Sequence, residues 1–135
     1  MEIYYYKNKK LNSCPVKDYF KKFINEIKLL GDIQAKVELI AENGLPHPIA
    51  EQLKGYSFFE ISKPFKKITI RLLCAEIEKN LILIHAFDKP RYYKNKDKKI
   101  NNKIIKNYNI AQEYYNELKK YEDCKEKYEK YRPNL

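Results

Sequence analysis

The run Leu81-Ile82-Leu83-Ile84-His85-Ala86-Phe87 constrains this chain more than any other stretch. Successive side chains of a strand point to opposite faces. Here Leu81, Leu83, His85 and Phe87 alternate with Ile82, Ile84 and Ala86, so both faces are apolar. Such a strand is stable only in the middle of a sheet that is covered on two sides. Seven residues are far short of the roughly 20 needed to cross a bilayer as a helix, so no membrane association is expected.

The rest of the chain supplies the neighbours and the covers. Residues 2–7 are β-prone and predict a first strand. Pro15 suits the first turn of a helix, and Phe20, Phe23, Ile24, Ile27 and Leu30 follow at helical spacing up to Gly31. Asp32 then caps a second helix through Ile33, Val37, Ile40 and Ala41, stopped by Asn43-Gly44. Strands are predicted near 55–62, 66–74 and 80–87, with turns at Lys63-Pro64 and Glu78-Lys79-Asn80. In the middle one, Ile68, Ile70, Leu72 and Cys74 share one face, and Thr69, Arg71 and Leu73 the other. From about 100 to 131 the pattern is helical again, through Ile104, Tyr108, Ala111, Tyr115 and Leu118. The order β-α-α-β-β-β-α makes one α+β domain over residues 1–135, a length that suits a single core.

Charge narrows the partners. Lys and Arg number 28 against 18 Asp and Glu, a balance of +10, which favours nucleic acid or an acidic protein. Residues 88–106 hold eight basic residues and two acidic ones, a local balance of 8 − 2 = +6. Cys14, Cys74 and Cys124 stand at spacings that match no metal or redox motif, and only His47 and His85 accompany them. No metal site and no cofactor are expected. With only Gly31, Gly44 and Gly55, a glycine-rich phosphate loop is excluded. Met1-Glu2-Ile3 lacks the positive start of a signal peptide, which predicts a cytoplasmic chain of mature length.

Five motifs then line up. They are Cys14-Pro15-Val16-Lys17-Asp18-Tyr19-Phe20, Glu42-Asn43-Gly44, Leu53-Lys54-Gly55 followed by Phe59-Glu60-Ile61, Arg71-Leu72-Leu73, and Leu83-Ile84-His85-Ala86-Phe87-Asp88-Lys89. In this order and spacing, over roughly residues 2–120, the chain resembles the RelE/HigB-like toxins of bacterial type II toxin–antitoxin modules, in the phage-derived branch. The resemblance implies a small twisted, mainly antiparallel sheet packed by an N-terminal helical hairpin, with a C-terminal helix. It implies a toxin that cuts mRNA on the ribosome and is neutralised by a cognate antitoxin of the helix-turn-helix type. Operator DNA would be met only through that antitoxin. ParE-like relatives instead poison gyrase without being enzymes. Where the family commonly reads Glu-Leu-Arg, this chain has Glu60-Ile61-Ser62, which leaves open a degenerate toxin that only binds its antitoxin. Lys89-Pro90 likewise replaces a pair of lysines.

Metal-free RNA cleavage needs a base for the 2′-OH, cations for the scissile phosphate and an acid for the leaving 5′-oxygen. The candidates are Arg71, Lys89, His85, Tyr93 and Glu60. Arg71 either clamps the phosphate or pairs with Glu60 across strands. His85 is either an acid–base group or a satisfied core histidine. Tyr92 and Tyr93 beside Arg91 and Lys94 form a basic, aromatic cluster of the kind that stacks on unpaired bases. Lys54, Lys66 and Lys67 complete the expected RNA-binding set, and Lys63, Lys66 or Lys67 is available to replace the missing cation at Ser62.

Overall fold

The computed structural model describes residues 1–94 and 96–120, and the backbone of 128–130. The apolar run forms the middle of β5 (Asn80–Pro90). Beside it lie β4 (Ile68–Ile77), antiparallel, and β1 (Glu2–Tyr6), parallel. β3 (Phe59–Phe65) pairs with β4, and β2 (Glu51–Gln52) with β3. β6 (Tyr128–Lys130) runs antiparallel to β1, giving the order β2-β3-β4-β5-β1-β6. The architecture is α+β, with a mainly antiparallel sheet and, among the described residues, three helices.

Both faces of β5 are covered. On one side Leu81, Leu83 and Ala86 join Ile70, Leu72 and Cys74 of β4 in a core with Val16 of α1 (Pro15–Lys21). Leu29, Ile33, Val37 and Ile40 of α2 (Ile27–Asn43) belong to the same core. On the other side Ile82, Ile84 and Phe87 join Leu73, Ala75 and Ile77, and pack against Ala111 and Leu118 of α3 (Lys98–Lys120). Asp97 caps α3, its carboxylate accepting from the Ile100 N–H at 3.2 Å. Among the described residues no helix is long and apolar enough to cross a membrane.

Four local expectations are corrected. The first helix does not run to Gly31; α1 ends after two turns, and α2 passes straight through Gly31 and Asp32. Glycine costs about 1 kcal/mol in a helix but does not stop one. The stripe Leu29, Ile33, Val37, Ile40 continues across it. The break falls at 22–26 instead, where Phe23 turns inward to meet the edge of Phe65 at 5.9 Å and tight Phe20–Phe23 and Lys21–Ile24 backbone bonds close α1.

Lys63-Pro64 is not a turn but part of β3. β2 reaches only Phe59 and Glu60, so Pro64 sits on an open edge where its missing N–H breaks no ladder. The hairpin turns are Lys66-Lys67, with Lys66 at φ 54°, and Glu78-Lys79, both with positive φ.

Strict alternation along β5 also fails. Leu73 pairs with His85 and Cys74 with Leu83, so Ile84 is an extra residue. This bulge turns His85 and Phe87 to the α3 side and leaves Ala86 on the other.

The C-terminal helix is shorter than 100–131. It is described to Lys120, and Tyr128–Lys130 is a strand on the edge of β1. The buried residues of α3 are Ala111 and Leu118. Residues 121–127, on which the rest of that expectation falls, lie outside the described residues.

Candidate functional site

The bulge gathers most of the candidate residues on the α3 side of the sheet. Three rungs cross it there: Glu60–Leu73–His85, Ser62–Arg71–Phe87 and Pro64–Thr69–Lys89. α3 covers the first rung and reaches Arg71 in the second. The third rung lies toward the open end of the strands.

Under α3 the polar groups are tied to one another. Glu60 is 2% exposed, and both its oxygens accept hydrogen bonds, one from the Arg71 guanidinium and one from the Tyr108 hydroxyl at 2.6 Å. The same Arg71 nitrogen also donates to the Tyr108 oxygen at 3.1 Å, which closes a three-membered network between β3, β4 and α3. Burial, and then the Glu60 carboxylate, push the Tyr108 hydroxyl well above the usual phenol range, so it stays protonated. Arg71 Nε has no hydrogen-bond partner among the described residues.

His85 is fixed in the same manner. Asn107 Nδ2 donates to the Lys103 carbonyl at 2.9 Å, which leaves its Oδ1 to accept from His85 Nε2 at 2.9 Å. The proton therefore sits on Nε2, and Nδ1 lacks a partner among the described residues. Burial lowers the imidazole below its usual value, against the smaller opposing pull of Asn107. The ring stacks on Phe87 and meets the edge of Tyr114. As placed, Arg71 is an ion-pair partner and His85 a neutral histidine held through Nε2 alone among the described residues.

The open end is different. Lys89 donates to the Tyr93 hydroxyl at 3.3 Å and lies 4.9 Å from its ring centre. The Arg91 N–H bonds the Lys67 carbonyl at 2.8 Å, tying the exit of β5 to the β3–β4 turn. Its guanidinium lies 5.5 Å from the Tyr92 ring, which is 82% exposed. Pro90, Tyr92, Tyr93, Lys94 and Lys96 border an open pocket of about 490 Å³ beside them. Lys67 is exposed, and Lys66 pairs with Glu26 at 3.6 Å. Lys54 stands apart, at the opposite end of β3, about 20 Å away along the strand. Ser62 is exposed and directly opposite Arg71, so an arginine there would place two guanidinium groups side by side.

Tyr108 and Asn107 complete the covered half, and in the sequence Tyr108 stands out only as part of an apolar stripe. A tyrosine on the buried face of a helix needs a partner for its hydroxyl, and that requirement was the available signal. The Cys74 thiol, fully enclosed, is pushed up to about 12 by burial and is no nucleophile. Cys124 lies outside the described residues. Among those residues no group of three or more His, Cys, Asp or Glu gathers to hold a metal. No family model, no curated protein and no solved structure matches the chain.

Proposed function

We propose that the chain is a RelE/HigB-like toxin of a type II toxin–antitoxin module, a cytoplasmic, metal-independent endoribonuclease that cuts mRNA on the ribosome. Its partner is an antitoxin of the helix-turn-helix type, through which alone the module meets operator DNA. The motif order in the sequence motivates the reading. The observation that carries it is the open end of the α3 side, where Lys89, Tyr93, Arg91 and Tyr92 stand together beyond the rung of Arg71.

In this reading Lys89 faces the non-bridging oxygens of the scissile phosphate, where negative charge builds in the transition state. The Tyr93 hydroxyl exchanges the proton of the 2′-OH or of the leaving 5′-oxygen. Arg91 and Tyr92 hold the strand by charge and stacking. The ribosome fixes the substrate, which relieves so small a site of most of the entropic cost. Arg71 joins the clamp only by leaving Glu60. The chain is to be induced alone in bacteria and mRNA 5′ ends mapped. New internal ends in arrested cells support the reading. Intact transcripts overturn it, and stabilised gyrase–DNA cleavage complexes would assign the ParE-like activity instead.

One observation favours a second reading. Arg71 is held by Glu60, and Ser62 stands opposite it where the family carries arginine. A toxin so altered keeps its antitoxin-binding surface and loses catalysis. It predicts an unaltered chain without toxicity and recovery of toxicity by Ser62→Arg.

A further inference from the structure

A second basic region lies on the α1 side of the sheet. Residues 7–22 carry Lys7, Lys9, Lys10, Lys17, Lys21 and Lys22 against the single acid Asp18, a local balance of 6 − 1 = +5. The fold turns part of this run into a concavity. β1 ends at Tyr6, the chain doubles back through a short loop, and α1 begins at Pro15.

That loop is closed on itself. Asn8 and Ser13 exchange backbone hydrogen bonds of 2.8 and 3.2 Å. The buried Asn8 side chain accepts from the Leu11 N–H at 2.9 Å and donates to the Tyr6 hydroxyl at 3.1 Å. Lys7 at the strand exit, Asn12 and Ser13 of the loop, and Lys17 and Lys21 one helical turn apart border a pocket of about 400 Å³. Asp18 lies at its rim, 3.1 Å from Lys21.

We propose that this pocket is a second RNA contact, taking a phosphodiester group of the RNA backbone. The inference rests on the RNA reading above and names how the same polyanion is held at a distance from the reacting end. Three ammonium groups, a hydroxyl and a carboxamide are the groups that bind phosphate oxygens. A docked peptide would need apolar anchors, and the one apolar side chain here, Cys14, is 4% exposed.

Position supports a shared ligand. β1 and β5 are parallel, with Tyr5 level with Leu83. Lys7 therefore leaves the sheet near the level of His85, and Lys89 lies four residues further along the neighbouring strand, about 13 Å. The two basic sites stand at the same end of the sheet on opposite faces. An RNA bent round that end meets both, and the second contact acts at high effective concentration.

The test uses the full chain and a fluorescent RNA stem–loop with a single-stranded tail, titrated by anisotropy over a salt series. Combined Lys7→Gln, Lys17→Gln and Lys21→Gln should weaken binding about tenfold and lower the slope of log affinity against log salt by about one, since each neutralised phosphate contributes roughly 0.7–0.9. Asp18→Asn should tighten binding about two- to fivefold, the size of one exposed charge contact, a gain that misfolding does not produce. An unchanged slope in the triple variant, with binding weakened by Lys89→Gln and Arg91→Gln, overturns the pocket and leaves the RNA reading standing. No binding by the unaltered chain overturns both. Equal competition by charge-matched poly-glutamate overturns the phosphate assignment in favour of an acidic protein.

Discussion

Glu60, Arg71 and His85 under α3, and Lys89, Arg91 and Tyr93 at the exit of β5, are similar kinds of side chain on one face of one sheet. The fold uses them differently. Below the helix the Glu60 carboxylate, one Arg71 nitrogen, the Tyr108 hydroxyl and His85 Nε2 are matched to near neighbours, and the network joins β3, β4 and α3. At the strand exit Lys89 meets the Tyr93 hydroxyl at 3.3 Å, the Tyr92 ring faces solvent, and among the described residues no acidic side chain pairs with Lys89 or Arg91. Water is the physical difference. Where it is excluded, an unpaired charge costs several kcal/mol, so evolution of a stable fold leaves only pairs. Where it has access, an unpaired cation costs little and stays available to a ligand.

The comparison is broken most directly at Glu60. Glu60→Ala leaves the Arg71 guanidinium under α3 without its carboxylate and should cost about 3–5 kcal/mol in urea unfolding. The paired replacement Glu60→Met with Arg71→Met should recover most of that loss, because it removes both charges at similar volume. A cost below about 1 kcal/mol for Glu60→Ala would show that the covered half is not structural. Tyr108→Phe tests the third member of the network. It removes one donor and leaves a carboxylate oxygen underused, which should cost about 1–3 kcal/mol by the same measurement.

A smaller effect separates the halves by pH. Half-buried His85 is held neutral, facing Asn107 and Tyr114 of α3 and Phe87 of its own strand. Its folded value lies below the unfolded one, near 6.5, so the unfolded chain takes up the proton first. The contribution of neutral His85 is whole above about pH 6.5 and is lost below it, by at most about 1.4 kcal/mol per pH unit. His85→Gln should flatten that part of the stability curve. Asp88, on the other face, titrates in a separate window. Burial works to raise it, but the Tyr19 hydroxyl, Lys22 and Lys103 together hold it below the usual carboxylate value. Its contribution is present above about pH 3.9 and is lost as pH falls through the depressed value.

Much of this arrangement was legible in the residues. Period-two alternation with apolar side chains on both faces marked β5, and the Ile68-to-Cys74 alternation placed Arg71 on the face opposite Ile68, Ile70 and Leu72. Lys89, Arg91, Tyr92 and Tyr93 could be grouped because they are neighbours in the chain, and a short loop cannot carry them far apart. The bulge at Ile84 was not legible, because a strand that is apolar on both faces reads the same in either register. That one residue decides whether His85 lies toward α1 or toward α3. The end of α1 was misplaced because Gly31 looked like a stop, whereas the inward turn of Phe23 depends on Phe65, over 40 residues away in the chain. Tyr108 was missed for the same reason: its partners Glu60 and Arg71 come from two other elements.

The smallest expected change in stability sharpens the comparison from the open side. Tyr92 is 82% exposed, and among the described residues its ring contact is the Arg91 guanidinium. Tyr92→Ala should therefore alter unfolding free energy by no more than about 0.5 kcal/mol. If the ring stacks on an unpaired base, the same substitution should weaken binding of a single-stranded RNA by about 1–3 kcal/mol. Tyr108→Phe should show the opposite profile, with stability lowered and RNA affinity of the folded fraction unchanged. Two tyrosines on one side of the sheet would then separate cleanly, one by what it holds together and the other by what it holds from solution. Equal loss of stability at both positions would dissolve the distinction, because it would mean that the strand exit is packed as tightly as the covered half.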